Sequence, residues 1–376
     1  MGRRLWNVAG IGLIAWCSGA GSLQAAGLYH VTNLGTTRGT KLNDAGQVIA
    51  TEWDGSIPVF GPDGATVDSR HVATRYTGYG PDAGKVERFG DSAAAVGLNN
   101  AGQTVLWENG ALSLTDGRTS IPIGPGRAVA VNDSGQVLGN DFIAPDGTRA
   151  SSAIWQAGRV TPLAAMANAA GSDVMAINNA GQALGYSYFA DGMVRSHLWD
   201  QGVIRDVGSL GGRTYANGLN ESGVVVGGSE VYRNQFHAFV SRNGVMTDLG
   251  ILPGGGNSYA IAIGDAGDIV GTAAIKDFGP MHGFLFRDGR MIDLNTLIAE
   301  DLGLTITSAI DINASGQILG FATDRKTGLF NTVLLTPDGQ PIPADRIITP
   351  EPSSMALAAL ILAAAGAHRA RARRRA

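Results

Sequence analysis

The chain has 376 residues, and its 55 glycines are about twice the usual share for a protein of this length. Its single cysteine excludes a disulfide scaffold and any metal site ligated by several cysteines, and 44% hydrophobic residues exclude wholesale disorder. The formal net charge is −4, and the glycines lack the three-residue period of collagen.

Residues 1–26 have the pattern of a secretory signal peptide. Two arginines precede a short apolar stretch, Val8–Trp16, and small residues follow. Cleavage after Ala25 or Ala26 removes Cys17, so we expect a mature chain without thiol chemistry. The alternative interpretation of this segment is a buried N-terminal helix.

A short turn sequence occurs seven times between residues 42 and 317. Six copies have an apolar residue followed by a turn of the form Asn-x-x-Gly, and the copy at residues 263–268 has Gly264 in place of the asparagine. The turn glycines are 33 to 56 residues apart. The copies are Leu42–Gln47, Leu98–Gln103, Val131–Gln136, Ile177–Gln182, Leu219–Val224, Ile263–Asp268 and Ile312–Gln317. Their turn residues are Asn43, Gly46, Asn99, Gly102, Asn132, Gly135, Asn178, Gly181, Asn220, Gly223, Gly267, Asn313 and Gly316. A period of this length with several short strands is typical of propellers and repeat arrays.

Each repeat predicts four antiparallel strands, which we name a to d. Strand a precedes the turn and is rich in small residues, as in Arg127–Val131, and strand b follows it, as in Gln136–Gly139. Strand c is aromatic, as in Ser152–Trp155, and strand d closes the repeat, as in Ile204–Gly208. The second repeat is short, so we expect Thr104–Trp107 to serve as strands b and c together.

The aromatic strand of one central repeat contains the run His-Ala-Phe at residues 237–239, and similar runs begin at His197 and His282. These repeats resemble the HAF repeat, a family of exported bacterial repeats, over residues 27–340. The resemblance implies an extracellular repeat protein and no particular activity.

The pattern predicts an all-β fold, a β-propeller of about seven four-stranded blades within residues 27–346. Blade-on-blade packing buries both faces of each sheet, and a ring leaves no blade uncovered. Small residues in strand a place it around the axis, and bulky residues such as Trp155 and Trp199 place strand c further out. Tyr29–Gly35 has the pattern of the strand d that the last repeat lacks, so we expect it to complete the seventh blade. An open solenoid is the alternative architecture.

The residues predict no catalytic site, no metal and no cofactor. His197, His237 and His282 precede the aromatic strand in successive repeats, and such positions lie a blade apart in a propeller, so we expect structural roles for them. The Asp-rich turns lack the spacing of a calcium loop, and no serine elbow is seen. We therefore expect a non-enzymatic protein. The alternative is a polysaccharide lyase or hydrolase with a pocket on the propeller axis.

One face of the predicted propeller suits a binding partner. The a–b and c–d turns lie on one face, here named the turn face, and the b–c and d–a connections lie on the other, named the loop face. The loop-face connections vary in length and carry aromatic and charged residues, which suit carbohydrate or protein partners. The candidate rim residues are Tyr76, Tyr79, Tyr188, Tyr232, Arg233, Phe278 and Arg325. The alternative interpretation is ordinary solvated loops.

The C-terminus has a short motif, an apolar stretch and a basic tail, in that order. The motif is Pro350, Glu351 and Pro352, and residues 355–367 carry no charge. The arginines of the tail are Arg369, Arg371, Arg373, Arg374 and Arg375. This arrangement resembles the PEP-CTERM sorting signal of Gram-negative bacteria that produce exopolysaccharide.

The resemblance to a sorting signal implies a short membrane helix within residues 347–376, with the arginines held on the cytoplasmic side. It also implies processing by an exosortase near Pro350–Pro352 and a transient anchor in the inner membrane. Together with the signal peptide, it predicts helices flanking the propeller at both ends. The alternative is a loose basic tail that never inserts.

Without its two terminal segments the chain is strongly acidic. Residues 27–349 hold 21 basic and 31 acidic side chains, a net charge of about −10, which excludes nucleic acid as a partner because phosphate binding relies on Lys and Arg. We expect an exported protein of the cell envelope or extracellular matrix that binds exopolysaccharide or an envelope protein through the loop face. A purely structural matrix component is a further alternative.

Overall fold

The computed structural model describes residues 28–53, 59–60, 66–68, 71–77, 85–89, 93–143, 147, 149–340 and 342. The predicted signal peptide and sorting signal lie outside these residues. Within them the chain forms seven four-stranded antiparallel sheets and one two-stranded hairpin. Each four-stranded sheet is one blade and contains one Asn-x-x-Gly turn or its counterpart.

The first four blades follow the chain from strand a to strand d. Blade 1 consists of Arg38–Leu42, Val48–Trp53, His71–Thr77 and Lys85–Arg88. Blade 2 consists of Ala93–Leu98, Thr104–Glu108, Ala111–Thr115 and Ser120–Gly124. Blade 3 consists of Arg127–Val131, Val137–Ile143, Arg149–Gln156 and Arg159–Pro162. Blade 4 consists of Gly171–Ile177, Ala183–Tyr188, Val194–Asp200 and Val203–Asp206.

The last three blades complete the circle. Blade 5 consists of Thr214–Leu219, Val225–Tyr232, Gln235–Arg242 and Val245–Gly250. Blade 6 consists of Ser258–Ile263, Ile269–Ala274, Met281–Arg287 and Arg290–Asp293. Blade 7 takes its strands a to c from Leu304–Ile312, Ile318–Asp324 and Phe330–Pro337.

Three short elements lie outside the blades. A hairpin of Val59–Phe60 and Thr66–Asp68 lies in the b–c connection of blade 1. Two 3-10 helices, Leu294–Thr296 and Glu300–Leu302, connect blade 6 to blade 7. In the part of the chain that the structure describes, no helix has the length and apolarity required to cross a membrane.

The N-terminal strand closes the ring, as the sequence predicts. Tyr29–Asn33 pairs antiparallel with Phe330–Pro337 and is the fourth strand of blade 7. Tyr29 is buried in the core of this blade. The prediction of a seven-bladed, all-β propeller is confirmed, and the open solenoid is excluded.

Blade 2 has four complete strands and is not compressed. Thr104–Glu108 forms strand b alone, and a two-residue turn of Asn109 and Gly110 leads directly into strand c, Ala111–Thr115. Both turn residues have positive φ, 52° and 81°, as a type I′ hairpin requires. The prediction that Thr104–Trp107 serves as two strands was wrong, because Asn109 and Gly110 form a hairpin turn and strand c begins after them.

Strand a of every blade surrounds the axis and contains a β-bulge three residues before the turn asparagine or its counterpart. The bulged residues are Thr40, Val96, Val129, Met175, Asn217, Ile261 and Ile310. A bulge increases the local twist of its strand. The residue after the bulge faces the axis and is Gly or Ala in five blades, because seven strands converge there.

Two of the three histidines bridge strands c and d within their own blade. In blade 5, His237 Nδ1 lies 2.9 Å from the Asp248 carboxylate, and in blade 6, His282 Nδ1 lies 2.6 Å from the Asp293 carboxylate. These contacts hold the outer strands together at equivalent places. Among the described residues, no group of three or more His, Cys, Asp or Glu side chains is arranged to hold a metal ion.

His197 is not equivalent to the other two histidines, contrary to the sequence prediction. It lies opposite Gly185 of strand b, and the residues at that position in blades 5 and 6 are the buried Phe239 and Phe284. The sequences that follow the three histidines are similar, but the strand register of His197 differs from that of His237 and His282 by two residues. His197 is fully buried, and burial lowers its pKa to about 4.

The buried imidazole predicts a pH-dependent stability. The pKa of His197 is about 4 in the folded chain and 6.5 in the unfolded chain, so the unfolded chain binds more protons between these values. The free energy of unfolding is highest above pH 6.5, where His197 is neutral in both states. It falls by up to about 3 kcal/mol as the pH drops towards 4, because only the unfolded chain then binds the proton. We expect His197→Phe to raise the melting temperature more at pH 5 than at pH 8. Equal gains at both pH values would contradict a buried neutral imidazole.

Candidate functional site

Each Asn-x-x-Gly turn is closed by its own asparagine. In blade 1 the Asn43 and Gly46 N–H groups donate to Gln47 O and Asn43 O, both at 3.0 Å, and Asn43 Oδ1 accepts from the Gln47 N–H at 2.9 Å. Gly46 has φ of 73°, a conformation that favours glycine. The asparagines that make the same turn in other blades are Asn99, Asn132, Asn178, Asn220 and Asn313.

The turn asparagines also join neighbouring blades. Asn43 Nδ2 donates to Asn99 O at 3.1 Å, and Asn313 Nδ2 of the last blade donates to Asn43 O of the first at 3.0 Å. The five donors of this series, which we name the asparagine belt, are Asn313, Asn43, Asn99, Asn132 and Asn178. All five are buried. Gly264 replaces the asparagine in blade 6 and contributes no side chain.

The turn face opens onto a cavity of about 210 Å³ on the axis. The residue after each turn asparagine lines its mouth, and these residues are Asp44, Asn100, Asp133, Asn179, Glu221, Asp265 and Ala314. Partial burial and the neighbouring Asp265, Asp133 and Asp44 carboxylates raise the pKa of Glu221. The mouth is therefore acidic.

Two charged residues lie further inside the axial cavity. Lys41 and Asp311 follow the bulges of blades 1 and 7, at positions where the other blades have Gly or Ala. The Asp311 carboxylate accepts from the Leu42 N–H at 2.9 Å, which ties blade 7 to blade 1. Burial raises the pKa of Asp311. These contacts give Asp311 a structural role at the closure of the ring.

Five aromatic side chains near the loop face form a continuous series of ring contacts, which we name the aromatic arc, and four of them are exposed or half-buried while Phe236 is buried. Its members, in order of contact, are Tyr188, Tyr186, Tyr215, Phe236 and Tyr259. Successive ring centroids lie 5.4, 5.9, 5.9 and 5.7 Å apart, within the range of favourable aromatic pairs. The arc spans blades 4, 5 and 6. Its members lie where strand b ends or where strands a and c begin.

Local structure explains the positions of the outer rings. Tyr259 lies against Gly228 of the neighbouring blade, and a Cβ on that glycine would be 2.6 Å from the ring. At the other end of the arc, Tyr188 is 37% exposed and its hydroxyl donates to Asp173 Oδ2 at 2.5 Å. Burial and this carboxylate raise the pKa of Tyr188. The phenol therefore stays neutral and fixed in orientation.

Polar groups border the centre of the arc. The Arg213 guanidinium lies 5.5 Å from the Phe236 ring, donates to Glu230 at 3.0 Å and donates to Asn234 Oδ1 at 2.6 Å. Hydrogen bonds from Arg213 and from the Asn234 N–H lower the pKa of Glu230 to about 2. The ion pair therefore persists in mildly acidic solution and gives the arc a fixed hydrogen-bonding edge.

Several predicted rim residues lie on the loop face. Tyr188 belongs to the aromatic arc, and Tyr232 and Arg233 lie at the tip of the b–c turn of blade 5, with the guanidinium 5.8 Å from the ring. Phe278 is fully exposed in the b–c loop of blade 6. Arg325, in the b–c loop of blade 7, donates to Glu300 O at 2.6 Å.

Tyr76 lies on the turn face, contrary to the sequence prediction, and Tyr79 lies outside the described residues. Tyr76 is in strand c of blade 1, opposite Val48 at the beginning of strand b. The sequence predicts a b–c insertion over residues 75–89, but this segment contains the end of strand c and the whole of strand d, and the b–c connection lies before His71. Tyr76 is therefore not part of the loop-face rim.

Of the five arc members, only Tyr188 is among the candidate rim residues predicted from the sequence. Tyr215 and Tyr259 occupy strand a, and Phe236 occupies strand c, whereas the sequence predicts binding residues in the connections. The sequence signal for Tyr215 and Tyr259 is an aromatic residue near the beginning of strand a. The same position holds Arg127 in blade 3 and Ser308 in blade 7.

No protein-family model matches the chain, and no curated protein matches it. The chain is similar to the β-propeller domain of the Trilobed protease from Pyrococcus furiosus, described as an open velcro topology, with 11% identity and a TM-score of 0.52 over 82% of this chain and 95% of that chain. This likeness shows the propeller fold alone.

Two peptidases are also similar to this chain over part of their own length. An acylaminoacyl peptidase from Pyrococcus horikoshii is 10% identical with a TM-score of 0.49, over 76% of this chain and 49% of that chain. A puromycin-hydrolyzing peptidase from Mycobacterium tuberculosis is 14% identical with a TM-score of 0.47, over 80% of this chain and 52% of that chain. The present chain spans about half the length of these peptidases.

Proposed function

We propose that this protein is an exported, non-enzymatic propeller of the cell envelope or extracellular matrix that binds exopolysaccharide through its loop face. The observation that carries the proposal is the aromatic arc across blades 4 to 6. The predicted signal peptide and the resemblance of the C-terminus to a sorting signal support export and processing by an exosortase.

The arc has the chemistry of a sugar-binding surface. Tyrosine offers a flat apolar ring together with a hydroxyl that hydrogen-bonds, which suits a ligand with apolar C–H faces and polar edges. Arg213, Glu230 and Asn234 supply donors and acceptors beside the rings. The four tyrosines of the arc are exposed or half-buried and come from three blades. They give an extended surface rather than a closed pocket, and this shape suits a polymer.

The charge of the chain favours a neutral polymer. The net charge of about −10 on residues 27–349 repels a polyanion at low ionic strength. Arg213, at the centre of the arc, is paired with Glu230, so it adds no net positive charge there. We therefore expect binding that depends weakly on salt concentration.

Paired substitutions in the arc test this function. We expect Tyr186→Ala with Tyr215→Ala to weaken retention on exopolysaccharide purified from the producing bacterium at least tenfold, or about 1.4 kcal/mol. Trp107→Ala is the matched control, because it removes a 43% exposed aromatic side chain from blade 2, which contributes nothing to the arc. Equal retention of the arc variant and the control would overturn loop-face binding. New reducing ends on the polymer after incubation with the protein would contradict the proposal that the protein is not an enzyme.

A further inference from the structure

Large side chains of strand c fill the gaps between most neighbouring blades. They occupy one position, the strand c residue that pairs with the first residue of strand b. The residues at this position in blades 1, 3, 4, 6 and 7 are Tyr76, Trp155, Trp199, Phe286 and Leu335. All five are large and contribute an aromatic ring or a branched chain.

These side chains pack against the preceding blade. Trp155 is buried in a core shared with Leu112 and Leu114 of blade 2. Trp199 Nε1 donates to Ala164 O of the connection between blades 3 and 4 at 2.7 Å. The position therefore acts as a filler between blades.

Blade 5 has a serine at the filler position. Ser241 pairs with Val225, is 3% exposed, and its hydroxyl donates to Val207 O of blade 4 at 2.8 Å. A hydroxyl cannot occupy the volume of an indole or phenyl ring. A pocket of about 300 Å³ lies here, between blades 4 and 5, and opens on the turn face.

Blade 2 also has a small residue at this position, yet its gap is filled differently. Thr115 pairs with Thr104, and the buried Arg75 of blade 1 lies in that region, where it donates to Gly102 O at 2.5 Å and forms an ion pair with Glu87. In blade 4 the counterpart of Arg75 is Leu198, a shorter side chain that lines the pocket instead of filling it.

The pocket has an apolar floor and a polar rim. Leu198, Val207 and Val225 form the floor, and all three are buried. The rim residues are Gln182, Asp200, Arg205, Asp206 and Asn243. Arg205 pairs with Asp200 at 3.1 Å, so the rim presents carboxylate acceptors, amide groups and guanidinium donors side by side.

We propose that this blade 4–5 pocket binds a single neutral hexose ring. Its volume is at the lower end of ligand pockets, about 300 to 1,000 Å³, which suits one ring rather than a chain. Planar carboxylate, amide and guanidinium groups pair with adjacent hydroxyls, which both donate and accept. The apolar floor suits the C–H face of the ring.

The charge of the rim excludes an acidic sugar. Asp200 neutralises Arg205, and Asp206 adds a further carboxylate to the same rim. An anionic ligand would face that uncompensated charge. The pocket lies on the turn face and shares no residue with the aromatic arc, so the proposal goes beyond the loop-face function and stands without it.

The floor residues allow a local measurement. We would label the methyl groups of Leu and Val in the mature chain and titrate it with D-glucose, D-galactose and D-mannose. Each sugar is used free and as its methyl glycoside, which represents a ring at the end of a glycan. We expect saturable shifts of the Leu198, Val207 and Val225 methyl signals in the millimolar range for at least one sugar. Glycosides that bind as well as free sugars assign the pocket to glycan ends, and weaker glycosides assign it to free sugars.

Filler substitutions at Ser241 complete the test. Ser241→Trp and Ser241→Leu introduce the residue types of blades 3, 4 and 7, and we expect at least tenfold weaker binding with an unchanged or higher melting temperature. Ser241→Ala is the matched control and retains the shifts, because it removes only the bond to Val207 O. If the Trp variant does not fold, the Leu variant carries the same test. Absence of methyl shifts with all six probes, or full binding by a folded filler variant, would overturn the proposal.

Discussion

Deletion of residues 28–36 is expected to lower the free energy of unfolding by roughly 5 kcal/mol or more, because it removes the fourth strand of blade 7. The loss includes the antiparallel ladder from Tyr29 to Asn33. It also includes bonds from the Leu28 and Tyr29 N–H groups to Leu297 O, at 2.7 and 3.0 Å. The buried residues of the strand c partner become accessible to water.

Chemical denaturation monitored by tryptophan fluorescence measures this loss. The matched control is a chain that begins at Leu28, which lacks the predicted signal peptide and keeps the closing strand. We expect the control to unfold in one cooperative transition at high denaturant and the deletion variant to unfold far earlier. A shared midpoint would show that the ring does not depend on its closing strand.

Asn132→Ala is expected to destabilise the protein by about 2 to 3 kcal/mol, the usual loss for a buried polar side chain with several partners. Asn132 is 4% exposed, and its Nδ2 donates to Asn178 O of the next blade at 3.0 Å. Its Oδ1 accepts from the Gln136 and Ser134 N–H groups at 3.0 and 3.1 Å. The substitution therefore opens the turn and breaks the asparagine belt together.

The same turn offers a close control for the belt. Ser134→Ala changes the exposed neighbouring residue, and blades 1 and 2 already have alanine there, as Ala45 and Ala101. Thermal unfolding of both variants should show a large loss for Asn132→Ala and a change within about 0.5 kcal/mol for Ser134→Ala. Similar losses in both variants would assign the effect to the turn backbone rather than to the asparagine.

The seven-bladed ring was predictable because each repeat contains a recognisable hairpin turn sequence. The Asn-x-x-Gly turn requires a particular asparagine and a glycine with positive φ, so its chemistry is visible in any single copy. The closing strand was also predictable, because Tyr29–Gly35 has the pattern of strand d and the last repeat lacks one. Both inferences depend on local sequence.

Strand registers were harder to predict. His197 precedes an aromatic run like those of His237 and His282, yet its register differs from theirs by two residues. In blade 1 the b–c connection contains a hairpin and ends before His71. Tyr76 therefore lies in strand c, whereas the sequence prediction placed it in the b–c connection. The register of a strand is set by its pairing with the neighbouring strand. The spacing of residues within one strand does not determine that pairing.

The two candidate binding surfaces arise from contacts between blades. The aromatic arc joins residues as far apart in the chain as Tyr186 and Tyr259. The blade 4–5 pocket exists because Ser241 replaces a large side chain at one paired position. Neither surface was predicted as a unit, because each depends on which residues of separate repeats face one another.

The most direct test of the central claim is a map of amide hydrogen exchange, with and without saturating exopolysaccharide, in the chain that begins at Leu28. Loop-face binding predicts slower exchange at the ends of strands that carry the aromatic arc, around Tyr186, Tyr215 and Tyr259. It predicts unchanged exchange at the Asn-x-x-Gly turns of blades 1, 2, 3 and 7, which do not border the blade 4–5 pocket. Protection confined to the turn face, or no protection anywhere, would contradict binding through the loop face.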